Sequence, residues 1–322
     1  MKRYDLTLIS KNRPAVFTLS VLWIAFFHST LAFDSTFVMN LKNWGSCGVD
    51  VFLLVSGISL YFSMQKNGAD ILGFYRRRML RVLLPSLIVS ILWFGYKDLI
   101  AGKNILLFVS DMTGVTLFTR GKKAVWFVVA IVIDYLLYPF IYRFFEKMKW
   151  SLPSFLLLLA AAFSVNLALK LTFREIYENS EILWRRLPVF VTGCFMGKAV
   201  YEKKTLPVNG WVILAATVLL TGISFLIPFR DIGHLRYLFL PLAIGYTMLF
   251  SLAGEWEPVA KISAFFAPVS LEIYLLHEKT LEVLPKFLPG MGNGLINLTG
   301  FLIAVIGAYA LLLIEKRILK KK

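Results

Sequence analysis

Long apolar runs recur along this sequence from its beginning to its end, and no other feature constrains the fold as strongly. A run of about 17 to 22 apolar residues is long enough to cross the hydrocarbon core of a bilayer as an α-helix. We expect ten such spans, which lie approximately at 15–33, 47–64, 81–97, 124–143, 152–170, 186–201, 210–228, 235–253, 263–281 and 295–315. The pattern predicts an all-α polytopic membrane protein, multi-pass in the cell membrane, in which residues 1–322 form a single domain.

The composition indicates that a bilayer is the solvent of this chain. Of the 322 residues, 58% are hydrophobic and 17% are charged, whereas a soluble domain is about half apolar and about a quarter charged. The formal net charge of +16 comes from Lys and Arg that are scattered between the apolar runs. Basic loops beside apolar spans are typical of contact with anionic lipids, so we expect membrane lipids as partners and no nucleic acid.

The distribution of Lys and Arg predicts the orientation of the spans, because cytoplasmic loops retain more of these residues than external loops do. They are most concentrated in the N-terminal segment, in the loop before the third span and in the C-terminal tail. An even number of spans places the two termini on the same side of the membrane. We therefore expect both termini to be cytoplasmic.

The two cysteines are expected to be packing residues and not disulfide partners or metal ligands. Cys47 and Cys194 both lie among apolar residues, and two cysteines are too few for a disulfide framework or a cysteine-based metal site. We expect neither a metal site nor a permanently bound cofactor.

An ionisable side chain inside a membrane is costly and is therefore a candidate functional residue. His28 comes late in the first predicted span and Asp50 comes early in the second. Because these spans run in opposite directions, the two side chains lie at a similar depth. A carboxylate beside an imidazole fixes its tautomer and improves it as a proton acceptor, which is the arrangement of a general base. A polar contact between helices explains the same spacing.

A cluster of arginines marks the start of the third span. It consists of Arg76, Arg77, Arg78 and Arg81, and the last of these shares a helix face with Arg77 and Arg78. Guanidinium groups are permanently charged and fork onto phosphate oxygens, so the cluster is a candidate phosphate site. Anchoring of the loop to the cytoplasmic leaflet accounts for such a cluster equally.

The remaining polar and small residues of the spans carry weaker signals. Ser56 and Gly57 belong to a run of small residues in the second span, which lets a neighbouring helix or a slender ligand approach its backbone. Trp126 and Arg186 are typical of anchors at the membrane interface. Asp134, in the fourth span, needs a partner inside the bundle.

The ninth span adds further ionisable residues, among them Glu272, His277 and Glu278. Glu272 and His277 are five residues apart, so they lie about 140° from each other around a helix and are not expected to form a local pair. Contact of His277 and the adjacent Glu278 with lipid headgroups is the alternative to a functional role.

Five stretches, taken in order, resemble a known family. They are "LWIAFFH", "GVDVFLLVSGISLYFS", "FYRRRMLRVLLP", "VWFVVAIVIDYLLYP" and "SLEIYLLH". Together they cover nearly the whole chain, which is similar to the integral-membrane acyltransferases of acyltransferase family three. These enzymes acylate glycans such as polysaccharides and lipopolysaccharide.

The resemblance implies roles for several residues. It implies that His28 is the catalytic base, that Asp50 is the acidic position of the second span, and that the arginines from Arg76 to Arg81 meet the phosphates of an acyl-CoA donor. Many members carry an arginine eleven residues before the histidine. Here that position is Phe17, and Arg13 is the nearest candidate.

We therefore expect a membrane-embedded O-acyltransferase that moves an acyl group, acetyl in the first instance, from acyl-CoA as co-substrate to a hydroxyl of a glycan or lipid-linked sugar. In this hypothesis Asp50 orients His28, and the pantetheine arm follows Ser56 and Gly57. Five residues are assigned to substrate binding or support: Trp126, Asp134, Arg186, Glu272 and His277.

Two alternatives stay open at this point. The first is a transporter or flippase for a lipid-linked or anionic solute, and the second is a purely structural membrane subunit. A transporter predicts binding residues spread over two halves of an internal repeat, whereas no such repeat is obvious in this sequence. The oligomeric state is not predicted by any feature of the sequence.

Overall fold

The computed structural model of this chain describes residues 3–67, 70–226 and 239–320. Helices make up nearly all of the described part. The first half contains α1 (Thr7–Lys11), α2 (Arg13–His28), α3 (Thr36–Asn43), α4 (Cys47–Asn67), α5 (Ile71–Phe94), α6 (Ile105–Met112), α7 (Val115–Arg120) and α8 (Trp126–Lys147). The second half contains α9 (Leu152–Thr172), α10 (Arg174–Trp184), α11 (Leu187–Tyr201), α12 (Gly210–Phe225), α13 (Phe239–Ala253), α14 (Glu257–Phe266), α15 (Ser270–Phe287) and α16 (Asn293–Lys320).

Three short helical segments and a small sheet complete the described elements. A π-helical segment (Gly95–Ala101) continues α5, and 3-10 segments (Trp44–Ser46 and Ala267–Val269) precede α4 and α15. The strands β1 (Tyr4–Asp5) and β2 (Thr205–Leu206) pair in antiparallel register. This pairing ties the N-terminal segment to the chain that follows α11.

Six stretches of helix in the described residues are long and apolar enough to cross a membrane. They are Thr36–Lys66, Ile71–Ala101, Trp126–Lys147, Leu152–Thr172, Glu257–Phe287 and Asn293–Lys320. The prediction of an all-α polytopic membrane protein is confirmed at this level. The count of ten spans and the cytoplasmic location of the termini stay predictions.

The other four predicted spans correspond to shorter helices. The helices α2 and α12 have 16 residues each, and α11 and α13 have 15 each. At about 1.5 Å of rise per residue, such a helix is shorter than the roughly 30 Å of a hydrocarbon core. The predicted spans at 210–228 and 235–253 also extend partly outside the described residues.

The helix α4 lies at the centre of the bundle, where α2, α11 and α13 pack against it. Two glycines let α4 and α11 cross in near contact, because a Cβ atom on Gly57 would lie 2.7 Å from the backbone nitrogen of Cys194. A Cβ atom on Gly193 would lie even closer to the carbonyl oxygen of Leu54. Gly57 therefore packs against α11, which is the first of the two roles that its small size allows, and its contact with the donor stays a prediction.

The bundle has two chemically different ends. Arg13, at the start of α2, lies with Arg78 and Arg81 at one of them, which we call the arginine end. His28, at the last residue of α2, lies with His277 at the other, which we call the histidine end. Because α2 joins the two, its length sets their separation at about 22 Å, from 15 residues at about 1.5 Å each.

Candidate active site

A basic cavity opens at the arginine end between α2, α4, α5, α8 and the start of α15. Three arginines line it, namely Arg13, Arg78 and Arg81. Hydroxyl and aromatic side chains complete its walls: Ser56, Ser59, Ser270, Phe17, Phe52, Phe127 and Tyr135. The cavity thus combines positive charge near its mouth with an apolar interior.

Oxygen atoms of α4 hold two of these arginines in place. Nε of Arg78 lies 3.3 Å from Oγ of Ser63, and its Nη2 lies 3.3 Å from the carbonyl oxygen of Ser59. Nη1 of Arg13 lies 3.5 Å from Oγ of Ser59. These acceptors are neutral, so the hydrogen bonds orient the guanidinium groups and leave their charge available to an anion.

The cavity includes only part of the arginine cluster that the sequence singled out. Arg76 and Arg77 are exposed and do not line it, and Nη1 of Arg77 lies 3.8 Å from Oδ2 of Asp70. Because a helix turns about 100° per residue, neighbouring arginines of α5 point in different directions. Arg13 takes their place in the cavity. The sequence carried a signal for this, since Arg13 was the nearest basic residue to the family position occupied by Phe17.

The histidine end brings together His28, His277 and Glu278, which we call the histidine cluster. Nδ1 of His28 contacts Oε1 of Glu278. The rings of His28 and His277 meet edge to face with their centroids 5.1 Å apart. His28 is half-buried, Glu278 is exposed, and His277 is buried.

The carboxylate that contacts Nδ1 of His28 is therefore that of Glu278, where the sequence predicted Asp50. A carboxylate can only accept a hydrogen bond, so Nδ1 donates and Nε2 keeps a free lone pair. This is the tautomer that a general base requires. Glu278 stands beside His277 in the sequence, but only the packing of α15 against α2 shows that it reaches His28.

Asp50 instead forms a buried ion pair with Arg186. Nε of Arg186 lies 3.2 Å from Oδ1 and 3.3 Å from Oδ2 of Asp50, and both side chains are buried. The guanidinium group also lies over the ring of Trp126, 4.8 Å from the ring centroid. Arg186 and Trp126 are thus parts of an internal network, and the prediction that they are interfacial anchors is corrected. A buried arginine needs a carboxylate partner, and Asp50 supplies it.

Two other predicted residues lie apart from the histidine cluster. Asp134 is buried in α8 and lines neither the basic cavity nor the histidine cluster. Glu272 is buried in the first turn of α15, where it interacts electrostatically with Arg81 at the arginine end. Glu272 and His277 do not pair, as their spacing on a helix predicts.

An aromatic layer separates the basic cavity from the histidine cluster. It consists of Phe52, Phe127 and Tyr274, and none of the three stands out in a sequence with so many aromatic residues. The ring centroids of Phe127 and Tyr274 are 4.7 Å apart, and those of Phe52 and Tyr274 are 6.5 Å apart. Phe52 and Phe127 line the cavity, while Tyr274 contacts the ring of His277 at 5.7 Å. The layer is therefore in contact with both sites.

One face of α2 connects the two sites. Phe17 follows Arg13 by four residues, and His28 follows Phe17 by eleven, so the three side chains lie within about 60° of each other around the helix. A slender molecule that lies along this face would have an anion-binding group at one end and a general base at the other.

A comparison with known protein families identifies this architecture. The model of the family Acyl_transf_3, described as an acyltransferase domain, matches residues 18–314. No curated protein and no solved structure matches the chain. Because the family match covers nearly the whole chain, and because the described helices include six that are long and apolar enough to cross a membrane, this protein belongs to acyltransferase family 3 and is a membrane acyltransferase.

Proposed function

We propose that this enzyme transfers an acyl group, acetyl in the first instance, from acyl-CoA to a hydroxyl of a glycan or lipid-linked sugar. The observation that carries the proposal is the contact between Nδ1 of His28 and Glu278. His28 lies on the face of α2 that begins at Arg13, a residue of the basic cavity. This face would present a phosphate-bearing donor to a base held in the correct tautomer.

The donor would bind with its phosphates at the arginine end. Arg13, Arg78 and Arg81 offer three permanently charged groups, and guanidinium groups form short, charge-assisted hydrogen bonds to phosphate. In the orientation that we propose, this end faces the cytoplasm, where the basic loop and both termini lie. The acyl-CoA donor would then enter from the cytoplasmic side.

The acyl thioester would reach the histidine cluster by passing the aromatic layer. The donor must extend along α2 for about 22 Å, so only a long and slender arm meets the requirement. Phe52 and Phe127 line the inner end of the cavity, and their rings would pack against that arm. The histidine end would face the opposite side of the membrane, where the acceptor is found.

The chemistry is a direct acyl transfer. Nε2 of His28 takes the proton of the acceptor hydroxyl as its oxygen attacks the thioester carbonyl carbon. The carbon–sulfur bond then breaks, and the CoA thiolate leaves and takes the proton from the imidazolium. The products are the acyl ester of the acceptor and CoA with a free thiol. Glu278 stabilises the transient imidazolium through Nδ1–H.

Transfer of radiolabel tests the proposal. The purified protein is incubated in lipid nanodiscs with [14C]acetyl-CoA and a panel of polyhydroxylated acceptors. Label should pass to an acceptor, and His28→Ala should abolish the transfer while its thermal unfolding matches that of the wild-type protein. Full transfer by His28→Ala would contradict the role of this base. Accumulation of solute by vesicles that contain the protein, without any transfer, would favour transport instead.

A further inference from the structure

A second cavity lies beside the histidine cluster, and it takes no part in the donor path proposed above. It is a groove of about 300 Å³ between α2, α15 and α16, which we call the lateral groove. Its walls are mainly apolar and include Leu22, Phe26, Leu281, Leu298 and Phe301. Polar side chains are few, and among them are His277, Ser29 and Asn297.

The lateral groove lies on a different side of α2 from the proposed donor path. Leu22 and Phe26 precede His28 by six and two residues, which puts them about 120° and 160° around the helix from it. A donor arm on the face of Arg13 and Phe17 would therefore have to turn around α2 to reach the groove. The groove is better placed for the other substrate.

The opening of the lateral groove faces the exposed apolar surface of α16. Leu298 lines the groove and is 57% exposed, and its neighbours Leu295 and Leu302 are 54% and 52% exposed. An apolar face of this kind on a membrane helix faces lipid. A molecule in the bilayer could thus enter the groove sideways without crossing water.

His277 connects the lateral groove to the base. Its ring is buried, lines the groove and lies 5.1 Å from the ring of His28. Nδ1 of His277 lies 3.1 Å from the carbonyl oxygen of Ile273, which accepts a hydrogen bond from it. Nε2 then has a lone pair, and within the described residues it has no hydrogen-bond partner. A buried, unpartnered acceptor atom is suited to a hydroxyl of a ligand.

We infer that the lateral groove binds the hydrocarbon chain of an amphipathic acceptor, whose hydroxyl-bearing head lies between His277 and His28. The inference rests on the proposed function and narrows it to an acceptor that is lipid-linked and reaches the site from the bilayer. His277 is then a substrate-binding residue that accepts a hydrogen bond from the acceptor head. A water-soluble glycan would leave the apolar walls of the groove unused.

Matched acceptors and matched variants test this inference. Methyl and dodecyl glycosides of the same sugars are compared as acceptors of [14C]acetyl in nanodiscs. Gly294 lines the groove, and a Cβ atom there would meet nothing within 4 Å, so Gly294→Trp puts a bulky ring in open space at the groove. Gly292 is equally open but does not line the groove, and Gly292→Trp is the control.

The dodecyl glycosides should accept label at least about ten times faster than the methyl glycosides. Gly294→Trp should remove most of this difference, and Gly292→Trp should preserve it. Equal rates for the two chain lengths in the wild-type protein would overturn the inference. So would a Gly294→Trp variant that alters only the preference for acyl chain length in the donor, because the groove would then hold the acyl chain of acyl-CoA.

A photolabelling experiment separates this inference from the proposed reaction, because it needs no turnover. A dodecyl glycoside that carries a diazirine at the chain end is irradiated with the protein in nanodiscs, and the labelled peptides are mapped. Label should concentrate on α2 and α16 around Phe26 and Leu298, and Gly294→Trp should reduce it several-fold. Label spread evenly over the exposed helices would contradict the inference, because the probe would then be dissolved in the bilayer without binding in the groove.

Discussion

The contact between His28 and Glu278 is the residue-scale feature from which the proposed chemistry follows. The carboxylate accepts from Nδ1, so the proton sits on that atom and the lone pair of Nε2 is free. Glu278 is a positioning residue in this scheme, because it acts on the substrate only through the imidazole.

Glu278→Gln tests the positioning role. Gln carries no negative charge, so it stabilises the transient imidazolium less than Glu278 does, and its NH2 group can also donate to Nδ1 and favour the tautomer in which Nε2 is protonated. We expect kcat to fall roughly 10- to 1,000-fold, within the range of general-base effects, with KM for acetyl-CoA nearly unchanged. Steady-state kinetics at several donor concentrations separate the two constants.

Glu282→Gln is the matched control for this variant. Glu282 lies one turn further along α15, where it is exposed and pairs with Lys97 at 3.4 Å. Its substitution should leave both constants within about twofold of wild type, since Glu282 is as exposed as Glu278 but pairs with Lys97 and not with His28. Equal losses in the two variants would show that the charge of α15 matters, and the contact with His28 does not.

Arg78→Ala tests the basic cavity against the exposed part of the arginine cluster. A charge-assisted hydrogen bond contributes about 1.5 to 3 kcal/mol, so we expect KM for acetyl-CoA to rise roughly 10- to 100-fold. Arg76→Ala removes an exposed charge from the same helix, and its KM should change by less than about threefold. A larger effect of Arg76→Ala would place the donor phosphates on the exposed side of α5.

The sequence predicts the identity of these residues better than their partners. His28 is a candidate from the sequence because it is an ionisable residue in an apolar run. The comparison of depths in two adjacent spans then suggests Asp50 as its partner. The partner of His28 comes from 250 positions later in the chain, and no local pattern shows which of several carboxylates reaches it. Asp50 is nearer to His28 in the sequence, but its carboxylate forms an ion pair with the buried Arg186.

At the scale of elements, the crossing of α4 and α11 fixes the centre of the bundle. This crossing depends on glycine, because the backbones leave no room for side chains at Gly57 and Gly193. Backbone atoms form the opposing surface, and they cannot yield as a flexible side chain can.

Gly193→Ala should destabilise the protein by forcing these two helices apart. Overpacking of this kind costs about 1 to 3 kcal/mol, so we expect a clear fall in Tm in detergent. Gly222→Ala is the control, because a Cβ atom there meets nothing within 4 Å, and its Tm should be equal to or slightly above that of wild type. An unchanged Tm for Gly193→Ala would contradict the close crossing.

The long apolar runs predict most of these helices, since a helix in lipid must satisfy its own backbone and carry an apolar surface. It fails where a helix is short. The segment between the third and fourth spans, for example, contains the two short helices α6 and α7, and Ser110 and Asp111 interrupt the apolar residues of α6. Packing against neighbouring helices stabilises such elements, and that information is not local in the sequence.

In the whole molecule, the two ends of the bundle differ in the side chains that they carry. The three arginines of the basic cavity and the start of α2 lie at one end, and α16 returns the C-terminal segment to the same end, since Glu315 interacts with Arg81. At the other end Asn293 of α16 hydrogen-bonds to the backbone of Thr30, just beyond His28. This difference between the ends supports our proposal that the donor and the acceptor approach from opposite sides.

A sided transfer assay in sealed proteoliposomes shows from which side of the membrane the donor enters. The protein is inserted with the C-terminus outward, as judged by a protease-sensitive tag, and [14C]acetyl-CoA is supplied either outside or inside. We expect acyl transfer when the donor is on the side of the C-terminus, and no transfer when it is confined to the opposite side. Transfer only from the opposite side, or equal transfer from both, would overturn the proposed entry of the donor at the arginine end.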